Sequence, residues 1–292
     1  MINPYKRLDV FRCKSSEHAR FEHYVSVYHV MRVKNCYPQG CLSFRWRCQL
    51  LNKGQRCIKG FHHVGRKCFG CRHYFDEKIH HHPSLLLSEE QYAQFLNELE
   101  EFEDWLDSIQ GKQLDIQGVA VSVKPALTKI IQQRSSHLEL NGYLVHFNEA
   151  FINTTHWEDH CYALIYPDQQ ERYQVAAEDK LEFRAHVTLN EGRLLFKRMN
   201  RIEFLHRSKK PTWTNSQALV ARRTTIAFDQ QPTKCLHCDQ GMLVDVIDKS
   251  RPHWERSREL FCLKAFPSPD VCYYHVEQKL LESNDQCAAL VS

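Results

Sequence analysis

Apolar and polar residues alternate through most of the stretch from 113 to 207. Leu114, Ile116, Val119, Val121 and Val123 mark one strand, with Gly118 interrupting the alternation. Residues 138–152 form a longer extended run, and 161–166 a short apolar one. Leu181, Phe183, Ala185, Val187 and Leu189 alternate cleanly, turn at Asn190-Glu191-Gly192 and return through 194–205. A period of two, bounded by turn residues, predicts half-buried strands. The period changes over 88–110. There Tyr92, Phe95, Leu96, Leu99, Phe102, Trp105, Leu106 and Ile109 recur at helical spacing and predict one broad apolar face. Ser88 and Gln91 fit a capping box at its start, and Gly111 a stop.

This pattern divides the chain into four expected parts: a cysteine-rich module over 1–82, an acidic connecting helix over 83–112, a β-region over 113–207 and a second cysteine-rich module over 208–292. A length of 292 residues allows two or three domains and a real core. The hydrophobic fraction of 42% and charged fraction of 25% are those of a globular protein. The net charge of +4 is unevenly spread. Residues 1–82 hold 16 Lys/Arg against 5 Asp/Glu, whereas 83–112 hold 1 against 8. Glu98, Glu100, Glu101, Glu103, Asp104 and Asp107 crowd the polar side of the predicted helix. They suit a solvated face or an acidic partner for the basic module.

Residues 1–10 are polar, and no apolar run approaches the ~20 residues of a spanning helix. A cytoplasmic protein without a membrane segment is therefore expected. Thirteen cysteines in a reducing compartment point to metal ligation more than to disulfides.

Seven of them lie in the first module: Cys13, Cys36, Cys41, Cys48, Cys57, Cys68 and Cys71. Cys68-Phe69-Gly70-Cys71 can grip one ion from a tight turn. Seven ligands do not divide into fours. Either histidine completes a second site, or one closed site stands beside extra buried cysteines. His18, His23, His29, His62, His63, His73 and the run His80-His81-His82 are available. Zinc is the first expectation and an iron–sulfur cluster the alternative, since both accept four thiolates.

Basic residues interleave with aromatic ones in the same module: Phe44-Arg45-Trp46-Arg47, then Lys53, Arg56, Lys59, Arg66, Lys67 and Arg72. That mixture suits phosphate contact plus base stacking. A solvated surface offsetting thiolate charge is the other reading.

Several strands without alternating helices favour a small closed barrel over a parallel sheet, with a β-sandwich as the alternative. The Gly118-interrupted first strand, the long 138–152 strand and the hairpin through Asn190-Glu191-Gly192-Arg193 resemble an OB-fold. The resemblance covers about a third of the chain and implies nucleic-acid binding on one face. Tyr143, Phe147 and Trp157, with Arg184, Arg193, Lys197, Arg198 and Arg201, are the candidates for that face.

In the last part, Cys235-Leu236-His237-Cys238 with Gly241 after it, then Cys262 and Cys272, resembles a zinc-ribbon or treble-clef site. The wide second pair departs from that pattern, so His237, His253 or His275 could replace a cysteine. Cys161 and Cys287 stand alone and read as non-ligands. The fold class expected is mainly β with α elements, an OB-like β-barrel flanked by two Cys-rich metal-binding modules.

No Walker A loop, dinucleotide GxGxxG or GxSxG elbow occurs. His156-Trp157-Glu158-Asp159-His160 spaces two imidazoles one helical turn apart, but Glu158 is at the wrong offset for a metalloprotease helix. Pro167-Asp168 with Glu178-Asp179-Lys180 has the letters of a metal-dependent nuclease motif, yet Glu178-Asp179-Lys180 reads as a turn. The expected function is binding of nucleic acid, single-stranded DNA or RNA, without catalysis. The alternatives are a metal-stapled protein–protein scaffold, or a nuclease or iron–sulfur enzyme component.

Overall fold

A computed structural model of the chain describes residues 1–236, 238–250 and 255–273. The protein is mainly β, with one large mixed sheet and few helices. Its packing separates two compact units, Asn3–Ser108 and Ile109–Ser292, the latter with Met1–Ile2. Among the described residues no helix is long and apolar enough to cross a membrane.

The first unit runs through β1 (Phe11–Arg12), β2 (Tyr24–Val25), β3 (Cys41–Cys48), helix α1 (Gln49–Asn52), β4 (Tyr74–His81), β5 (Ser84–Leu85) and helix α2 (Glu89–Ile109). Strand β1 pairs antiparallel with β2 and β5. Strands β3 and β4 form a separate antiparallel pair, from Cys41 opposite His81 to Cys48 opposite Tyr74. Helix α2 begins as its sequence demands. The Gln91 amide donates to Ser88 Oγ at 3.3 Å, and the Ser88 amide to Gln91 Oε1 at 3.0 Å. Such a box is worth about 1 kcal/mol. Phe95, Leu99, Phe102 and Leu106 are the buried stripe, and Tyr5 meets Phe102 edge-on at 5.2 Å. The stripe is narrower than the sequence implied, since Leu96 is exposed. Two of the helix acids pair within the unit: Glu103 with Arg32 and Tyr5, and Glu98 with Arg7 at 3.5 Å.

The second unit runs through β6 (Gln113–Ile131), β7 (Ser136–Ile152), β8 (Thr155–Trp157), β9 (Cys161–Ile165), α3 (Pro167–Tyr173), β10 (Lys180–Asn190), β11 (Arg193–His206), α4 (Asn215–Thr224), β12 (Ile226–Phe228), α5 (Thr233–Leu236), β13 (Gly241–Asp248) and β14 (Glu255–Cys262). Strand β6 pairs antiparallel with β7, and β7 with β9. Strand β9 lies parallel to β11, β11 pairs back with β10, and β10 with β6. The pairings thus return to the strand from which they start. Alternate residues point inward and are buried: Tyr143, Val145 and Phe147 on β7, Cys161, Ala163 and Ile165 on β9, and Phe183 and Phe196 on β10 and β11. Gly142 lets β7 pass close to β9. Its φ is +134°, and a Cβ there would stand 2.2 Å from the Ile165 carbonyl oxygen.

Strand β6 runs well beyond the predicted Val123. Its last residues, Thr128 to Ile131, take β13 as a parallel neighbour, and β14 and β12 follow antiparallel. Residues 155–157 form β8, which pairs antiparallel with the end of β7. Residues 218–228 divide into α4 and β12. Ala221 of α4 joins Leu127, Met242, Val244, Phe261 and Leu263 in a buried cluster.

Candidate nucleic-acid interface and cysteine clusters

Alternation along β7 and β9 gives the second unit an outward row as well as an inward one. His146 stands opposite Tyr162, and Leu144 opposite Leu164. The His146 and Tyr162 rings are stacked, 5.2 Å apart with 21° between planes. The Arg193 guanidinium lies 5.4 Å from the Tyr162 ring centre, a cation–π contact. Leu144, Tyr162, Leu164, Arg193, Leu195, Lys197 and Asn141 line a groove of about 260 Å³. On its far wall Asp245 accepts from Arg258 Nε at 2.8 Å. Burial, then Glu191, pushes the Asp245 carboxyl above its usual range, and Arg193 opposes this.

Of the residues proposed for this face, Arg193 and Lys197 are brought together in the groove. Arg198 and Arg201 are exposed farther along β11, each with a left-handed backbone. Arg184 forks onto Asp115, with contacts of 2.8 and 3.0 Å. Tyr143, Phe147 and Trp157 are a correction: all three have 0% exposure and offer no face to a base. Tyr143 points inward, donates its hydroxyl to Asn215 Oδ1 at 2.8 Å, and is pushed up to about 12 by burial and then by Glu171. Tyr162 and His146, which the sequence reading missed, are the rings that face out. The parity of 143, 145 and 147 held the signal, because Val145 between two aromatic residues fixes that side as core.

In the first unit, Leu42, Phe44 and Trp46 occupy alternate positions of β3 and are exposed. Trp46 meets Phe69 at 5.0 Å, and Phe69, itself exposed, meets Tyr74 at 5.2 Å. Arg66 and Lys67, exposed, directly precede this knuckle. Arg45 reaches Ser16 Oγ at 3.1 Å. Arg47 is bound to Glu77 at 2.8 Å, which takes one cation out of the basic face.

The cysteines fall into clusters. Cys13, Cys36 and Cys41 line a cavity of about 220 Å³ with His18, His29 and His81. The Cys36 thiol is pushed up to about 11, by burial first and then by Cys41 and Cys13. Burial also lowers His18 and His29, whose rings meet edge-on at 5.0 Å, so both favour the neutral form. Cys48, Cys57, Cys68 and Cys71 line a second, smaller cavity with His63 and Tyr74.

In the second unit Cys235, Cys238, Cys262 and Cys272 line one cavity. The Gln240 amide donates to Cys238 Sγ at 3.4 Å. A Cβ on Gly241 would lie 1.8 Å from the Cys235 carbonyl oxygen, so the turn closes only around glycine. Lys124 of β6, partly buried, donates to the carbonyls of Cys238 and Gly241 at 2.8 and 2.9 Å. Burial lowers its pKa, against Asp239 and Cys238. Cys161, on β9, is buried at 0% exposure. His237, His253, His275 and Cys287 lie outside the described residues. Among the described residues no three His, Cys, Asp or Glu side chains converge in the geometry that would hold an ion.

The two imidazoles of the 156–160 pattern turn to different partners. His156 turns to Glu149 at 3.2 Å, while His160 bonds His146 at 2.9 Å. Asp179 is buried, and its two oxygens accept the amides of Ala176 and Ser208 at 2.8 and 2.7 Å. It is a structural carboxylate, turned away from solvent. Comparison of the chain with family models, curated proteins and solved structures gives no match.

Proposed function

We propose that this protein binds single-stranded nucleic acid on the outer face of β7, β9 and β11. The observation that carries the reading is Tyr162 and Arg193 in a groove that also holds Lys197, with the His146 ring stacked against Tyr162. Stackable rings flanked by cations suit bases and phosphates together. The strand order supports it. In our reading the returning pairings make an OB-like barrel with α3 between its third and fourth strands, and such barrels bind nucleic acid on the face of their second and third strands. Those strands are β7 and β9. The basic aromatic surface of the first unit, with Arg45, Arg66, Lys67, Trp46 and Phe69, is a second binding surface of the same chemistry. The cysteine-rich segments act as metal-binding modules, zinc at Cys235, Cys238, Cys262 and Cys272, with Lys124 offsetting thiolate charge at the knuckle.

The experiment is a titration of the full chain against labelled single- and double-stranded DNA and RNA at low salt. Salt-sensitive binding to a single strand is expected. No binding to any of the four overturns the reading and leaves the scaffold alternative.

A further inference from the structure

We infer that the first unit holds two separate zinc centres, one of Cys48, Cys57, Cys68 and Cys71, the other of Cys13, Cys36, Cys41 and one imidazole from the pair His18 and His29. It rests on the metal-binding part of the reading above and is independent of nucleic acid.

The four-cysteine centre would hold a segment that has no buried residue of its own and is packed mainly through Phe69 on Trp46 and Tyr74. Between α1 and β4 the chain runs from 53 to 73 with one short 3-10 turn, Arg66–Cys68, as its regular structure. No residue from 51 to 73 is buried. A loop of this length without a core of its own has little apolar burial to offset the entropy of ordering it, roughly 1–2 kcal/mol per residue. Its half-buried cysteines are Cys57, Cys68 and Cys71, and they line one cavity with the buried Cys48 at the end of β3. An ion at that cavity would tie the tip, the knuckle and the strand pair together. Zinc supplies folding energy to small modules in this way.

The second centre follows from the remainder. Cys13, Cys36 and Cys41 are neighbours in space although 28 positions of chain separate Cys13 from Cys41, and Cys36 is hydrogen-bonded to Cys41. Three sulfurs leave a tetrahedral site one ligand short. His18 and His29 line the same cavity. His81, also there, is engaged with Ser43 at 3.1 Å. A cysteine sulfur swings about a single torsion, so ligation gathers the thiols by rotamer changes, each bound thiol giving up its proton. The odd number of cysteines is thereby explained: seven divide as four and three, with imidazole completing the second set.

The test counts ions on the intact full-length chain by native mass spectrometry. Cys57→Ser is expected to lose one zinc, Cys36→Ser one zinc, and the double variant two. The double variant His18→Ala/His29→Ala should lose the same single ion as Cys36→Ser. If Cys36→Ser and Cys57→Ser each remove the same ion, so that their combination removes no more, the two-centre division is wrong. If neither removes an ion, or if the protein carries iron and absorbs in the visible, the proposal falls. Should a variant fail to fold, alkylation of the native chain decides. On adding chelator, Cys13, Cys36 and Cys41 should become reactive as one set, and Cys48, Cys57, Cys68 and Cys71 as another at a different rate. Seven thiols reactive before chelator, or one common rate, would overturn it.

Discussion

The imidazole of His146 lies over the phenol ring of Tyr162 on the neighbouring strand, 5.2 Å between centres. The Arg193 guanidinium lies 5.4 Å from the centre of the same Tyr162 ring. A base that stacks on such a ring gains roughly 1–3 kcal/mol. Tyr162→Ala should therefore weaken oligonucleotide binding by about 5- to 150-fold and leave its dependence on salt nearly unchanged. Tyr162→Phe should bind almost as the native chain does. Anisotropy titrations at several salt concentrations separate the two effects.

Charge removal should act the other way. Arg193→Ala with Lys197→Ala should flatten the salt dependence, by about 0.7 in slope for each phosphate no longer neutralised. Neutralising Arg45, Arg47, Arg66 and Lys67 together should lower the slope by about 2 rather than 3, because Arg47 is already held by Glu77. An unchanged slope in both variants would remove phosphate binding as the origin of affinity.

Much of the second unit is legible in its sequence, and the reason is the two-residue period. The hairpin at Asn190-Glu191-Gly192 and the strands on either side follow from alternation and turn chemistry alone. The later part of β6 does not, because Lys124-Pro125-Ala126 breaks the apolar rhythm and the strand is completed by β13, more than a hundred positions away. At the site, sequence identifies Arg193 and Lys197 as basic, but only the parity of 143, 145 and 147 hints at which aromatic residues face out. Tyr143 and Tyr162 look alike until the pairing sets their parity. The cysteine partition was equally hidden, since Cys13 joins Cys36 and Cys41 through tertiary folding.

Tyr5 offers a pH test of the first unit. Its hydroxyl donates to Glu103 at 2.7 Å and accepts from Arg32 at 3.1 Å. Burial, then Glu103, pushes it up to about 12. An unfolded tyrosine titrates near 10. Because the folded value is the higher, the group's stabilisation is complete below about pH 10 and is lost as pH rises toward 12. Denaturation midpoints followed from pH 9 to 12 should fall less steeply in Tyr5→Phe than in the native chain. Parallel curves would contradict this.

Asp179 gives a stability test at a carboxylate with no catalytic exposure. Asp179→Ala strands the amides of Ala176 and Ser208 and should cost roughly 1–3 kcal/mol. Asp179→Asn keeps one acceptor oxygen and should cost less. Thermal melts resolve the difference, since about 1 kcal/mol shifts the midpoint of a unit this size by about 2–4 °C.

The length of β6 also bears on how the protein is made. Its partners leave the ribosome in sequence: β7 at once, β10 some fifty residues later, and β13 only after Gly241. Through that interval the Thr128–Ile131 end of β6 is a bare sheet edge on a nascent chain, ready to pair with any extended strand that passes. Assembly ordered by such distant pairings is slow. Chains stalled or truncated before Asp248 would leave that edge open for good, so premature termination should yield aggregates rather than a smaller soluble form.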